Sequence, residues 1–236
     1  MINLIQGDCL EVMKDIPDGS VDMVLTDPPY GTTACKWDSV IPFEPMWEQL
    51  KRITKKNGAI VMTASQPFSS ALVMSNPKMF KYEWIWRKPL GTGYLNAKRQ
   101  PLRNHESVLV FYCKQAGYNP QKTQGDPYRH TTKKKKGQYQ GYGKHVKVAM
   151  NNKDGQRYPV TVQEFPSNMN GSLHPTQKPV ALMEYLIKTY TNESETVLDF
   201  TMGSGTTGIA AKNLNRDFIG IELDETYFNI AKERIR

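Results

Sequence analysis

The chain has 236 residues, 39% of them hydrophobic, which allows one sizeable domain or a domain carrying an insertion. No apolar run approaches the ~18 residues of a membrane span, and Met1-Ile2-Asn3-Leu4 lacks the basic-then-apolar start of a secretory signal, so a cytoplasmic protein is expected. Cys9, Cys35 and Cys113 are odd in number and lack Cys-x-x-Cys spacing, which argues against a disulfide framework or a metal site, while a net charge of +8 points to a polyanionic partner.

In chain order, Ile2-Asn3-Leu4-Ile5 reads as a strand, and Asp8-Cys9-Leu10-Glu11 opens a helix with an Asp-x-x-Glu form of the capping box. Val21-Asp22-Met23-Val24-Leu25-Thr26 is the short apolar run of a buried strand, and it leads into Asp27-Pro28-Pro29-Tyr30. Two consecutive prolines end strand pairing and block a helix start, so the chain leaves the sheet in a stiff, extended turn. Ligands of open α/β sheets bind at the carboxyl ends of strands. There the turn presents a carboxylate, a bare carbonyl and an aromatic face. The first two accept from an NH2 group and Tyr30 can stack on a planar ring, so the set suits the amino group of a nucleobase.

Phe43, Met46, Trp47, Leu50 and Ile53 are spaced for one face of a helix. Ala59-Ile60-Val61-Met62 is a strand, 67–75 a helix, and 82–86 with 107–112 two further strands that form an antiparallel edge pair. After residue 170, Val180, Met183, Leu186, Ile187 and Tyr190 mark a helix behind Pro179. Thr196-Val197-Leu198-Asp199-Phe200 is a strand, 206–214 a helix, 218–222 the last strand, and Asp224 caps a final helix. Such alternation marks an α/β sheet.

The segment between is different. From 115 to 170 it holds ten Lys and Arg against three acidic residues, so it carries +7 of the +8 charge, and it is poor in Leu, Ile and Val. Tyr118, Tyr128, Tyr139, Tyr142 and Tyr158 interleave with the cations. Cations for phosphates and aromatics for bases make a nucleic-acid surface; a solvated insertion without a partner is the bland alternative.

Gly203-Ser204-Gly205-Thr206-Thr207-Gly208 forms a Gly-x-Gly-x-x-Gly turn between strand and helix, and Glu222 ends the next strand, where a carboxylate can accept from ribose hydroxyls. By itself this fits an NAD site as well as an adenosyl site. No Lys follows the glycines, so it is not a phosphate-binding P-loop.

Asp27-Pro28-Pro29-Tyr30 together with Asp199-Phe200-Thr201-Met202-Gly203-Ser204-Gly205-Thr206 resembles the DNA amino-methyltransferases, and the order of the motifs is similar to their β group. His174-Pro175-Thr176-Gln177-Lys178-Pro179 resembles a third landmark of that family. The family's Asp-Pro-Phe stands here as Asp199-Phe200-Thr201, which shifts the aromatic by one position. The resemblance covers roughly 1–115 and 170–236. It implies a Rossmann-like methyltransferase sheet, mostly parallel with an antiparallel edge strand, circularly permuted and interrupted by the basic insertion. Residues 1–114 would form the catalytic half, 115–170 the target-recognition insertion and 171–236 the cofactor half.

The implied cofactor is S-adenosylmethionine. Asp8 would contact its adenine, Glu222 its ribose and Asp199 its ammonium, with Phe200, Gly203, Ser204, Gly205 and Thr206 around it and Lys178 near its carboxylate. The implied reaction methylates an exocyclic nitrogen of a base flipped out of double-stranded DNA. Asp27 and the Pro28 carbonyl would accept the two amino hydrogens, with Pro29 stiffening the turn and Tyr30 stacking on the base. Asp27 at the motif's first position favours adenine N6 over cytosine N4. Arg129, Lys133, Lys134, Lys135, Lys136 and Lys144 would contact DNA, and the resemblance leaves a homodimer and a cognate restriction endonuclease open as partners. Two rival readings are an NAD-dependent oxidoreductase and a catalytically silent nucleic-acid-binding module.

Overall fold

The computed structural model describes residues 1–33, 35, 38–130, 150–166 and 177–236. Strand β1 (Ile2–Gln6) runs to Asp8, whose Oδ1 caps helix α1 (Cys9–Val12) by accepting from the Leu10 N–H at 2.8 Å. The capping box is only half made, because the Glu11 carboxylate instead accepts from Lys14 Nζ at 2.7 Å. Strand β2 (Val21–Thr26) is buried at every residue except Asp22. Helix α2 (Phe43–Ile53) buries Met46, Trp47, Leu50 and Ile53, the face that the spacing marked.

Strand β3 (Thr54–Ala64) leads to helix α3 (Phe68–Ser75), followed by a hairpin of β4 (Phe80–Thr92) and β5 (Arg103–Phe111). The hairpin is longer than the sequence pattern suggests, because its distal part is polar and solvated and carries no alternating apolar signal. Beyond it come β6 (Thr123–Gln124), β7 (Tyr128–His130), β8 (Met150–Asn152), β9 (Gln156–Arg157) and β10 (Val162–Glu164). Helix α4 (Val180–Tyr190), β11 (Thr196–Asp199), α5 (Thr206–Asn213), β12 (Asp217–Glu222) and α6 (Glu225–Ile235) complete the chain.

Eight strands form one sheet in the order β1-β12-β11-β2-β3-β5-β4-β10. The five from β1 to β3 are mutually parallel, β5 is antiparallel to both neighbours, and β10 is parallel to β4. The reversed strand thus lies inside the sheet, where the sequence put an edge. The outermost strand, Val162-Gln163-Glu164, has only three residues and no apolar pattern by which to be recognised. Pairing of the first strand with the last, Ile2 opposite Phe218 through Gln6 opposite Glu222, is the structural form of the circular permutation.

Met1–Asn119 with Thr161–Arg236 makes one compact unit, and Pro120–Val160 a second. Within the second, β6 pairs with β9 and β7 with β8, both antiparallel.

Strand alternation splits the core of the main unit between the two faces of the sheet. Met23, Leu25, Val61, Val108 and Val110 pack with Leu186, Ile187, Ala211 and Ile235 of the helices α4, α5 and α6. Val24, Ile60, Met62 and Phe111 pack with Met13, Trp47, Leu50 and Leu72 on the other side. Parallel strands covered on both faces read as continuous apolar runs, which is why β2 and β3 were legible. Among the described residues no helix is long and apolar enough to cross a membrane.

Candidate active site

A cavity of about 1590 Å³ opens at the carboxyl ends of the parallel strands. Asp27, Pro28, Pro29 and Tyr30 line it after β2, and Asp199, Phe200, Gly203, Ser204 and Thr206 line it after β11. Glu222 from the end of β12, Asp8 from the end of β1 and Lys178 from the approach to α4 complete its wall. Gly205 is the exception. It is not among the lining residues; a Cβ there would meet Ala231 Cβ at 2.9 Å, and its φ of +82° starts α5 in the left-handed region. Gly208 is similar, since a Cβ would lie 2.7 Å from Phe218 Cε1 and collide with Ile235. The glycine fingerprint therefore divides: Gly203 faces the cavity, while Gly205 and Gly208 let α5 approach α6 and the sheet.

The part of the cavity behind Gly203 is acidic. Glu222 Oε2 accepts from the Gly203 N–H and Oε1 from the Asp224 N–H, both at 2.8 Å, so one carboxylate ties two loops together. Its burial raises its pKa. Asp199 is 3% exposed and accepts from the Thr26 hydroxyl at 2.7 Å and the Thr201 N–H at 3.1 Å. Every one of these donors is neutral, and among the described residues Asp199 has no ion-pair partner. Burial pushes its carboxyl up to about 6 in spite of those donors. A desolvated carboxylate that faces a cavity and has no counter-ion among the described residues is complementary to a ligand's ammonium. Cys9 also lines the cavity, but burial, with Asp8 adding to it, pushes its thiol up to about 12, so it is no nucleophile at neutral pH.

Asp27 is held differently. Its Oδ1 accepts from the Tyr30 hydroxyl at 2.7 Å and from the Thr63 hydroxyl, and its Oδ2 accepts from Lys178 Nζ at 2.6 Å. Lys178 is 5% exposed, and its Nζ lies 3.4 Å from Glu106 Oε2, while Lys88 pairs with the other oxygen of Glu106. Burial alone would push the Lys178 ammonium down, but the Asp27 and Glu106 carboxylates outweigh it and its pKa is raised. Two carboxylates and two ammoniums alternate along this chain of contacts, so its charges cancel and each is paired, the condition under which ionic groups tolerate burial. Lys178, placed by resemblance beside the cofactor's carboxylate, has its ammonium on Asp27.

A carboxylate offers about four lone-pair positions. On Asp27 the two of Oδ1 are filled, and Oδ2 has room for one further donor. Among the described residues nothing donates to the Pro28 carbonyl. Together these two acceptors match an NH2 group. The Tyr30 ring stacks on Phe68 with centroids 5.1 Å apart and 26° between planes, so one face is backed by a second aromatic. Burial holds its phenol well above its usual pKa, which keeps the hydroxyl a donor. Just beyond, the Asp38 carboxylate accepts from the N–H groups of Gly31, Thr32 and Thr33 at 2.8, 2.9 and 2.6 Å and fixes the loop that leaves Tyr30.

Thr63, Glu106, Lys88 and Asp38 escaped the sequence reading. Thr63 did leave a signal, because it is a polar residue inside the apolar run of β3 and its side chain needs a partner when buried. Of the residues assigned to DNA, Arg129 is exposed on β7, and Lys133, Lys134, Lys135, Lys136 and Lys144 lie outside the described residues, as do His174, Pro175 and Thr176. Within the second unit Arg157 lies 4.6 Å from the centre of the Tyr128 ring, and Lys122 Nζ 4.6 Å from that of Tyr158.

A family model described as DNA methylase, for N6 and N4 methyltransferases, matches residues 21–233. The chain is 31% identical over 257 residues to the type II methyltransferase M.HpaI of Haemophilus parainfluenzae, covering 98% of this chain and 73% of that protein. Against M1.MboII of Moraxella bovis the identity is 30% over 247 residues, with 96% and 93% covered. Among solved structures, the M1.HpyAVI–SAM complex superposes with a TM-score of 0.67 at 28% identity, over 99% of this chain and 100% of that one. The cytosine-N4-specific PvuII DNA methyltransferase shares the fold, with a TM-score of 0.70 at 16% identity over 100% and 86% of the two chains.

Proposed function

The chain belongs to the N6/N4 DNA methylase family, the amino-methyltransferases of DNA, and on that premise we propose that it methylates the exocyclic N6 of an adenine flipped out of duplex DNA. One observation supports this most: Asp27 and Asp199 open onto the same cavity from the ends of neighbouring parallel strands. One can grip a base amino group and the other can seat a cationic cofactor.

S-adenosylmethionine, the methyl donor, supplies an electrophilic methyl carried on a sulfonium. The residues present fit it. Asp199 would hold the ammonium, Glu222 the ribose hydroxyls and Asp8 the adenine, with Phe200 and Gly203 in the wall of the same cavity. The target nitrogen is a poor nucleophile while its lone pair is delocalised into the ring. Asp27 Oδ2 and the Pro28 carbonyl accept its two hydrogens, which favours a pyramidal nitrogen and turns the lone pair toward the cofactor side. This is orientation and electrostatic stabilisation, with no covalent intermediate: the N–C bond would form as the S–C bond breaks, the thioether being the leaving group, and one amino hydrogen would depart as a proton to solvent. Lys178, Thr63 and Tyr30 hold the Asp27 carboxylate so that it need not reorganise during the step.

Extruding the base costs a few kcal/mol, and stacking on Tyr30 offsets about 1–3 kcal/mol of it. The choice of adenine over cytosine rests on the resemblance, in which Asp rather than Ser at the motif's first position goes with adenine N6. The basic insertion, with Arg129 and the Lys133, Lys134, Lys135, Lys136 and Lys144 cluster, holds phosphates and contributes to target recognition. Incubation of unmethylated phage DNA with the protein and S-adenosylmethionine, followed by nucleoside mass spectrometry, should yield N6-methyladenine. N4-methylcytosine alone, or no methylated nucleoside, overturns the assignment.

A further inference from the structure

The β4–β5 hairpin projects past the sheet and meets the cavity on one flank, where Leu90, Gly91, Thr92, Gly93, Tyr94 and Arg103 line the wall. Its tip is built, not loose. Gly93 enters with a φ of +92°, and a turn of 3-10 helix over Tyr94–Asn96 follows. The turn is closed by the Asn96 N–H on the Gly93 carbonyl at 2.9 Å and continued by the Arg99 N–H on the Asn96 carbonyl at 2.8 Å. Leu95 stands at its apex with a relative exposure of 102%, beside Tyr94 at 64% and Leu90 at 54%. Leu90, Tyr94 and Leu95 thus put three exposed apolar side chains within six residues at one ordered tip, a grouping rather than a single scattered residue, and so suited to contact.

The surrounding charge identifies the partner. From Trp84 to His105 there are five cations and no acidic residue. Arg87 is paired with Glu164 and Lys88 with Glu106, while Lys98, Arg99 and Arg103 have no carboxylate within ion-pair reach among the described residues. An apolar apex flanked by uncompensated cations, at the mouth of a cavity that must admit a base, matches how proteins enter a duplex: cations hold phosphates while an apolar side chain slips between base steps.

We propose that Leu95 is a wedge that enters the base stack of duplex DNA and occupies the space left by the extruded target nucleotide, with Lys98, Arg99 and Arg103 holding the flanking phosphates. The proposal rests on the reading of the chain as a methyltransferase of a flipped base. Leu95 touches neither cofactor nor reacting nitrogen in this role; it stabilises the extruded state.

The test uses two synthetic duplexes carrying the site mapped on wild-type-treated phage DNA. In one the target base is normally paired; in the other an abasic residue stands opposite it, so that extrusion no longer breaks a pair. Leu95→Ala should lower single-turnover methylation of the paired duplex about ten- to a hundredfold and leave the abasic-opposed duplex within about twofold of wild type. Leu95→Met should retain most of the paired-duplex rate, and calorimetric binding of S-adenosylmethionine should be unchanged in both variants. Equal loss on the two duplexes, or no loss on the paired one, overturns the wedge. An unchanged rate with an altered sedimentation coefficient also overturns it, because the apex would then be a contact between copies of the chain. Failure of the wild-type protein to methylate the phage DNA sinks instead the methyltransferase reading beneath it.

Discussion

Asp27 and Asp199 end adjacent parallel strands, face one cavity and are held in opposite ways. Asp27 has its cation built in, with Lys178 on one oxygen and two hydroxyls on the other. Asp199 is more deeply buried, has neutral donors only and is pushed up to about 6. A carboxylate that already has a counter-ion is suited to accept from a neutral group such as an amino N–H. One buried without a counter-ion is suited to receive a charged ligand. On the proposed reading, the same side chain at the ends of two neighbouring strands separates substrate orientation from cofactor binding.

The strongest challenge to that division is Asp27→Ala. Methyl transfer should fall by about a thousandfold or more in single-turnover assays, comparable to or beyond the loss of a key stabilising hydrogen-bond partner. Persistence of the rate would remove Asp27 from the step. Lys178→Met comes next. It leaves Asp27 and Glu106 without their shared ammonium, and the rate should drop about ten- to a hundredfold while the KM for S-adenosylmethionine moves by no more than about threefold. A rise confined to that KM would instead put Lys178 on the cofactor's carboxylate.

The Asp199 side of the comparison predicts a pH dependence. Its folded pKa is raised, so the ligand-free protein favours the protonated form, and this contribution to stability is present at low pH and declines as pH rises toward 6. Binding an ammonium demands the ionised form. Cofactor affinity should therefore weaken by roughly tenfold per unit as pH falls below about 6, with proton release detected calorimetrically in buffers of different ionisation enthalpy. A flat profile between pH 5 and 7 would mean that Asp199 does not meet the charge. The smallest effect is expected for Tyr30→Phe, which keeps the ring on Phe68 and removes one of the donors to Asp27. A loss of about three- to tenfold in rate, with DNA affinity retained, corresponds to one hydrogen bond of ordinary strength.

Much of this was legible because the informative residues are local in sequence. Two prolines after an apolar run mark a strand end wherever they occur, and glycines between strand and helix mark a ligand turn. The partners of Asp27 are of another kind. Lys178 is 151 residues away and Thr63 is 36 away, and only the side-by-side placement of β2 and β3 and the return of the chain before α4 bring them together. Glu106 reaches the site because β5 runs against its neighbours, so that its start rather than its end lies among the carboxyl ends of the parallel strands. No periodicity announces that. Gly205 shows the converse: a residue in a recognisable ligand motif whose place in the fold is explained by helix packing.

The central claim, that the two aspartates divide the work, is tested most directly by calorimetric titration of S-adenosylmethionine into Asp27→Asn and Asp199→Asn at pH 7.5. Asp27→Asn should bind within about threefold of wild type, and Asp199→Asn should bind about ten- to a hundredfold more weakly, the worth of a hydrogen bond to a charged group. The reverse pattern, or equal losses in both variants, would contradict the division.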